Sequence, residues 1–356
     1  MSLLDSTTAR HSRVAPEALA QRVEAAQAML SHCDMCELRC GADRLAGRAS
    51  LCQLGAESHT YKQYLSLNEE RELLPVWRVF LSGCNFRCPY CDEAPDAWQP
   101  EIGRALNPHN WAEELSRAVA HGVKTISLLG GEPSLHVHTI LAAVAASTGD
   151  FPLALNTNMY MTPKVLELLD GIVCWYLADF KFGNDACAEQ LAGVPRYTEV
   201  VRRNIAWVFR RTDLIIRHVL LPGHAECCFR PIADWVSRNL PQTRFRLYPG
   251  YVPCGEAGHD AILGRLNTPD EIRFAEDYLN ALDLQCELTT TNKAAPQPLA
   301  RHDGTGSASI TIGADGHLYC HDLAPELSSI LCGLCIARDS QGDQSLPRQT
   351  TPGRCQ

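Results

Sequence analysis

The sequence predicts an α/β fold in which parallel strands alternate with helices. From about residue 76 onward, short apolar runs of strand character alternate with helical stretches. The strand candidates are apolar along their whole length, which indicates burial on both faces of a sheet. Strand–helix units in series imply parallel strands joined by right-handed crossovers. This pattern alone fits both a doubly wound open sheet and a partial barrel.

The individual elements follow from local composition. Residues 15–31 are rich in strong helix formers, with Pro16 near the start, and predict a first helix. The predicted strands are 76–82, 125–129, 151–156, 175–180, 214–221 and 244–248, and the helices between them lie near 109–121, 136–147, 163–170, 195–210 and 229–239. A last helix is predicted after Thr268, an N-cap residue followed by Glu271 in capping-box spacing. Residues 309–320 predict a short hairpin that turns at Asp315–Gly316.

Composition and charge exclude several classes of protein. Apolar residues make up 46% of the 356 residues, a value typical of globular proteins, and no run is long and apolar enough for a membrane-spanning helix. The first residues lack the apolar core of a secretory signal. The net charge of −9 argues against a broad surface for nucleic acid. We therefore expect a cytoplasmic protein that binds neither nucleic acid nor membranes.

The 17 cysteines indicate metal binding, because a chain without an export signal keeps its thiols reduced. Most of them fall into three groups, namely Cys33, Cys36, Cys40 and Cys52, then Cys84, Cys88 and Cys91, and finally Cys320, Cys332 and Cys335. Cys174 and Cys286 are interpreted as small buried apolar residues. Cys227 and Cys228 are adjacent, so their side chains diverge on regular backbone, which disfavours metal binding by this pair.

The central group, Cys84-x3-Cys88-x2-Cys91, directly follows the first predicted strand of the parallel sheet. That position is where α/β folds place active sites. Three thiolates on a short loop suit a [4Fe–4S] cluster, which normally takes four ligands, so one iron stays open for another molecule. Zinc is the alternative, although its sites usually use paired two-residue spacings. Arg87 and Tyr90 lie between the ligands and are positioned to shield such a cluster.

The stretch GCNFRCPYC at 83–91 resembles the signature of the radical S-adenosylmethionine (radical SAM) superfamily. Three segments after later strands are similar to family segments that contact SAM, namely Gly130-Gly131-Glu132-Pro133, Asn156-Thr157-Asn158 and Ile216-Arg217-His218. A further segment, Asp179-Phe180-Lys181, resembles the Asp-x-Lys of the pyruvate formate-lyase-activating branch. One departure is Met159, which stands where the family usually has glycine.

The resemblance implies a partial (β/α)6 TIM-type barrel of parallel strands with Cys-rich extensions at both ends. Residues 1–75 would form an N-terminal helix and a four-cysteine metal-binding extension. Residues 76–285 would form the barrel. Residues 286–356 would form a C-terminal Cys-containing extension with a mobile tail.

The resemblance also implies roles for single residues. A reduced [4Fe–4S] cluster would cleave SAM to methionine and a 5′-deoxyadenosyl radical. Glu132 would accept a hydrogen bond from the SAM amino group, Arg217 would pair with its carboxylate, and Asn156 and Asn158 would bind the ribose. Gly130 and Gly131, before Pro133, would allow the backbone to approach the ligand closely. The catalytic candidates are Asp179, Lys181 and His224, although Asp179 and Lys181 also suit a simple ion pair.

The two flanking cysteine groups leave more than one interpretation open. The N-terminal four suit either zinc or an auxiliary iron–sulfur cluster, with His32 as an extra ligand. The C-terminal three resemble a shortened auxiliary-cluster domain, whose fourth ligand would be Cys254, Cys355, His321 or the substrate. Alternatively, Cys332 and Cys335 hold a thiophilic substrate, or they are a pair of buried cysteines.

The sequence thus predicts a radical SAM enzyme acting on a small-molecule or peptide substrate, with a flavodoxin- or ferredoxin-type electron donor. One alternative is an activase for a glycyl-radical enzyme. Another is transfer of the 3-amino-3-carboxypropyl group of SAM to a soft acceptor held by the C-terminal thiolates. A non-enzyme alternative is a zinc-containing interaction protein.

Overall fold

The computed structural model of the protein describes residues 14–47, 50–240, 242–282 and 284, together with the backbone of three short strands beyond them. In chain order the elements are α1 (Pro16–Ala28), β1 (His59–Ser66), β2 (Val76–Leu81), β3 (Arg104–Ala105), α2 (Pro108–Ala120), β4 (Thr125–Gly130), α3 (Val137–Ala146), β5 (Leu153–Thr157), α4 (Pro163–Leu169), β6 (Val173–Asp179), α5 (Asp185–Ala192), α6 (Tyr197–Phe209), β7 (Asp213–Val219), α7 (Arg230–Asn239), β8 (Arg244–Tyr248), α8 (Pro269–Ala281), β9 (Cys286–Leu288), β10 (Ile310–Ile312) and β11 (Leu318–Cys320).

One large sheet organises the molecule, with its strands in the order β3-β1-β2-β4-β5-β6-β7-β8-β9. The strands β2, β4, β5, β6, β7, β8 and β9 are parallel to one another, whereas β1 runs antiparallel to both of its neighbours, β2 and β3. The parallel strands follow one another in chain order, so the sheet winds in one direction. A doubly wound sheet would reverse this order at a switch point. The fold is therefore an unclosed, partial TIM-type barrel, as expected.

The parallel strands are buried on both faces, as their apolar sequences predict. In β6, Tyr176 and Ala178 belong to the large apolar core, whereas Trp175 and Leu177 belong to a smaller, separate cluster. Because neighbouring residues of a strand point to opposite faces, the two clusters lie on opposite sides of the sheet. Cys174 is fully buried, which confirms its interpretation as a small apolar residue.

Most predicted elements are present with small shifts at their ends. The capping box of α8 is confirmed, because Thr268 Oγ1 accepts from Glu271 N at 3.2 Å and Glu271 Oε2 accepts from Thr268 N at 2.7 Å. The hairpin near the C-terminus is also confirmed by the pairing of Ile310 with Cys320. Four elements of the structure are absent from the prediction, namely the antiparallel strand β1, the short strands β3 and β9 and the short helix α5.

Candidate functional site

The three central cysteines lie on the loop that follows β2, at the carboxyl edge of the parallel strands. Arg87 stabilises the conformation of this loop, because its Nη1 donates to the carbonyl oxygens of Cys84 at 2.7 Å and Phe86 at 3.0 Å. Burial raises the pKa of Cys84 and Cys88, and raises that of Cys91 to about 12. A thiolate in this environment needs a bound cation to offset its lost hydration, and iron provides one.

The glycine segment after β4 packs directly against the cysteine loop. A Cβ on Gly131 would lie 2.0 Å from the carbonyl oxygen of Gly83, and one on Gly130 would lie 2.7 Å from that of Leu81. The backbone nitrogens of Gly131 and Glu132 donate to Leu81 and Gly83 at 2.7 and 2.9 Å. The missing side chains of both glycines therefore let this segment pack against the cysteine loop. A close approach of SAM to the same backbone stays a prediction.

Glu132 is almost completely buried, and the chain fixes its carboxylate from both sides. Its Oε1 accepts from Ser134 N at 3.0 Å and Thr157 Oγ1 at 2.7 Å, and its Oε2 accepts from Asn158 N at 2.8 Å. Burial raises the pKa of Glu132, and these hydrogen bonds only partly oppose it. Pro133 is also buried and begins a 3-10 turn that Glu132 caps. A carboxylate has room for a further donor beyond these three.

The two asparagines after β5 have different surroundings. The side chain of Asn158 already forms hydrogen bonds within the protein, since its Nδ2 donates to Asn85 Oδ1 at 2.8 Å and its Oδ1 accepts from Tyr160 N at 3.0 Å. Asn156 has a buried Oδ1 with no hydrogen-bond partner among the described residues. Met159 adopts a φ of +60°, the left-handed region that favours glycine, which accounts for the glycine usual at this place.

Arg217 on β7 is buried and lies between two carboxylates, Glu69 and Glu70, which follow β1. Burial lowers the pKa of Arg217, but the two carboxylates outweigh this effect and raise it. Its Nη1 has no hydrogen-bond partner among the described residues. Arg217 therefore keeps one donor group for a ligand, although most of its charge is already paired.

Asp179, Lys181 and Arg217 line a small cavity together with Tyr90 and Val219. Lys181 Nζ lies 2.9 Å from Asp179 Oδ2, so these two residues form an ion pair. Burial lowers the pKa of Lys181, but the negative charge of Asp179 outweighs that effect and raises it. The cavity thus joins groups from the ends of β6 and β7 to a residue of the cysteine loop.

The N-terminal cysteines lie against the end of β5. Cys36 forms a backbone bridge with Met161, and Thr162 N donates to the carbonyl oxygen of Met35 at 3.0 Å. Cys33, Cys36 and Cys52 are buried and Cys40 is exposed. Burial raises the pKa of Cys33, and the nearby thiolates of Cys40 and Cys52 raise it further. The four cysteines are thus close enough to interact electrostatically.

The remaining candidates lie elsewhere. His224 is not among the residues lining the cavity of Asp179 and Lys181, but lies beside three cysteines on α5 and the turn before α7. The thiol of Cys254 donates to the carbonyl oxygen of Tyr90 at 3.1 Å. Cys320 belongs to β11, of which the backbone alone is described, and Cys332 and Cys335 lie outside the described residues.

Comparisons with known proteins agree with this geometry. An uncharacterized protein of Methanocaldococcus jannaschii is 33% identical over 277 residues, which cover 76% of this chain and 81% of the relative. The radical SAM superfamily profile matches residues 79–236. The chain belongs to the radical SAM superfamily. Radical SAM enzymes use a [4Fe–4S] cluster and SAM, and these are the cofactors of this enzyme too.

Other known proteins match smaller parts of the chain. The GTP 3',8-cyclase of Aeromonas hydrophila is 39% identical over 174 residues, and the match spans about half the length of each protein, 46% here and 50% there. The crystal structure of Streptococcus suis SuiB bound to its precursor peptide SuiA aligns with a TM-score of 0.45 and 17% identity, over 58% of this chain and 46% of SuiB.

The residues present fit both cofactors. The cysteine loop offers three thiols to a cluster, and the neighbouring strand ends offer two unsatisfied polar atoms, Arg217 Nη1 and Asn156 Oδ1, to a ligand. Among the described residues, no helix is both long and apolar enough to cross a lipid bilayer.

Proposed function

We propose that the protein cleaves SAM reductively at a [4Fe–4S] cluster held by Cys84, Cys88 and Cys91 and uses the resulting radical on a small-molecule or peptide substrate. The observation that carries this proposal is the placement of the cysteine loop, Glu132 and the unpaired Nη1 of Arg217 at one edge of the sheet. When bound, the cluster supplies the electron that breaks a C–S bond of SAM.

In this proposal the residues of the chain bind and orient the nucleoside. Arg217 Nη1 donates to the SAM carboxylate, a charge-assisted hydrogen bond in a buried place. Glu132 accepts from the SAM amino group, and its three internal hydrogen bonds keep its carboxylate oriented before SAM arrives. Asn156 Oδ1 accepts from a ribose hydroxyl, which would satisfy an otherwise unpaired buried atom.

Asp179 and Lys181 support the substrate side of the proposal. They lie at the end of β6, and their ion pair lines the same cavity as Arg217. A raised pKa keeps Lys181 protonated at neutral pH, so it presents a positive charge rather than a base. We therefore assign Lys181 the binding of an electronegative substrate group rather than proton abstraction.

The test is anaerobic turnover with defined products. The protein is reconstituted with iron and sulfide, reduced with dithionite or a reduced flavodoxin, and incubated with SAM, and nucleosides are separated by chromatography. We expect 5′-deoxyadenosine and methionine in equal amounts. Cys88→Ala should abolish the product and remove the part of the visible absorbance that comes from the cluster on this loop, whereas Cys174→Ala, a buried cysteine outside the loop, should retain both.

Two outcomes would contradict the proposal. Methylthioadenosine in place of 5′-deoxyadenosine would indicate transfer of the 3-amino-3-carboxypropyl group instead. A fully loaded cluster with no nucleoside product would exclude both reactions.

The ribose contact can be tested separately by SAM binding. Asn156→Ala removes one hydrogen bond worth about 1 kcal/mol, so we expect the Kd for SAM to rise about five- to tenfold. Asn239→Ala is the control, because the side chain of Asn239 bonds only within its own helix at an exposed place. Calorimetry with the reconstituted, unreduced protein gives both values, and equal Kd values for the two variants would remove Asn156 from the site.

A further inference from the structure

Three cysteines and one histidine converge at a place that the proposed reaction does not use. The Sγ atoms of Cys187, Cys227 and Cys228 and the Nδ1 of His224 all lie within 4.8 Å of one another. Cys187 Sγ is 3.8 Å from Cys227 Sγ. His224 Nδ1 lies 3.7, 3.3 and 3.7 Å from the sulfurs of Cys187, Cys227 and Cys228.

These separations match the edges of one tetrahedral zinc site. Bonds of about 2.3 Å to sulfur and about 2.0 Å to nitrogen, at tetrahedral angles, place two sulfurs about 3.8 Å apart and a sulfur about 3.5 Å from the nitrogen. The observed distances agree with both values. An iron–sulfur cluster would spread its ligands over several irons, and so would separate the sulfurs further than a single ion does.

Local backbone structure brings the four ligands together. His224 is followed by a π-helical turn over Ala225–Phe229, in which the nitrogens of Cys228 and Phe229 both donate to the carbonyl oxygen of His224 at 2.9 and 3.2 Å. The expectation that the side chains of Cys227 and Cys228 diverge is wrong, because this turn is not regular α-helix and directs both sulfurs to His224. The wider π-helical turn explains the convergence.

The fourth ligand, Cys187, comes from the first turn of α5, and Asn184 joins that turn to the other three. Asn184 caps α5 by accepting from Cys187 N at 2.8 Å, and its Nδ2 donates to the carbonyl oxygen of Cys227 at 2.8 Å. The same Nδ2 lies 3.2 Å from Cys187 Sγ. An N–H donor directed at a ligating sulfur is typical of the surroundings of metal sites. A Cβ on Gly183 would lie 2.4 Å from the carbonyl oxygen of Cys228, so the two segments pack closely.

We propose that Cys187, His224, Cys227 and Cys228 bind one zinc ion in a closed Cys3His site. Four protein ligands leave no open coordination position, so the zinc is structural rather than catalytic. It joins the segment after β6, which contains Lys181, to the segment after β7, the strand that contains Arg217. The zinc thereby fixes two walls of the cavity relative to each other.

The test measures zinc rather than turnover. The full chain is expressed in zinc-supplemented medium and analysed by elemental mass spectrometry together with Cys187→Ser, His224→Ala and His224→Cys. We expect Cys187→Ser and His224→Ala to lose one molar equivalent of zinc relative to the unmodified chain. His224→Cys should keep that equivalent, because a fourth thiolate replaces the imidazole. His259→Ala, at an exposed histidine outside the group, should also keep it.

Cobalt provides a second readout that does not depend on a variant that folds poorly. Substitution of Co²⁺ for Zn²⁺ in the Cys84→Ala/Cys88→Ala/Cys91→Ala background, which lacks the cluster, should give the absorption of tetrahedral cobalt with thiolate charge-transfer bands, and Cys187→Ser should weaken these bands while any contribution of the N-terminal cysteines stays. His224→Cys in that background should shift these bands. Unchanged zinc content in Cys187→Ser, iron in place of zinc, or a disulfide between Cys187 and Cys227 in the native protein would each overturn the proposal.

Discussion

Substitution of Glu70 is expected to lower the stability of the fold, because this residue carries a buried negative charge shared by two guanidinium groups. Only 1% of Glu70 is exposed. Its Oε1 lies 2.9 Å from Arg217 Nε and 2.8 Å from Arg246 Nη1. Glu70→Gln keeps the shape but removes the charge. Breaking a buried ion pair from one side costs about 3–5 kcal/mol, and Glu69 remains as a partner for Arg217, so we expect about 3 kcal/mol.

Urea unfolding at pH 7 measures this loss. With a slope of about 2–3 kcal/mol per molar urea, a loss of about 3 kcal/mol lowers the midpoint by about 1–1.5 M. Glu226→Gln is the matched control, because its partner Arg230 and its own carboxylate are both largely exposed, and its midpoint should not change measurably. Equal midpoints for the two variants would refute the reasoning that burial makes the Glu70 charge important.

Two further predictions concern α8 and the cysteine loop. The hydrogen bond from Arg265 holds the pKa of Glu271 below its usual range. The Glu271 carboxylate therefore contributes its full stabilisation of the fold above the unfolded pKa of about 4.3, and this contribution is lost as the pH falls from there through the lower pKa of the folded state. Glu271→Gln should therefore lower the free energy of unfolding by about 1 kcal/mol at pH 7. In urea titrations repeated toward pH 3, the difference in free energy of unfolding between this variant and the unmodified chain should shrink. A difference that does not change with pH would contradict this prediction. Gly131→Ala forces a Cβ against Gly83 O, which should cost about 1–3 kcal/mol and reduce the visible absorbance of the reconstituted cluster. Gly258→Ala, which has no atom within 4 Å of its Cβ, should change neither, and a similar loss in both variants would indicate a general effect.

The sequence predicts the parallel part of the fold well, because continuous apolar runs and capping residues are local signals. The six predicted strands of the barrel are all present, and Thr268 and Glu271 form the expected capping box. Strand β1 is different, since its sequence HTYKQYLS mixes polar and apolar residues and it pairs with β2 in the antiparallel direction, outside the repeating parallel pattern. The pairing of Arg217 with Glu69 and Glu70 is hidden because these residues lie far apart in the sequence.

The candidate site is predictable where one segment carries its chemistry and hidden where several segments combine. The spacing of Cys84, Cys88 and Cys91 identifies their loop without any tertiary information. Cys187 lies far from Cys227 and Cys228 in the chain, and only the packing of α5 against the π-helical turn brings their sulfurs together. The sequence around Cys187, Ala186-Cys187-Ala188, contains no second cysteine or histidine that could have indicated a metal site.

The hydrogen bond between Asn158 and Asn85 connects the segment after β5 to the interior of the cysteine loop. Both side chains are buried, so neither exchanges its partner for water without cost. The binding of the cluster and the binding of SAM are then coupled through this pair of amides. By thermodynamic reciprocity, the factor by which the bound cluster raises the affinity for SAM is also the factor by which bound SAM raises the affinity for the cluster. An excess of SAM should accordingly slow the loss of iron to a chelator.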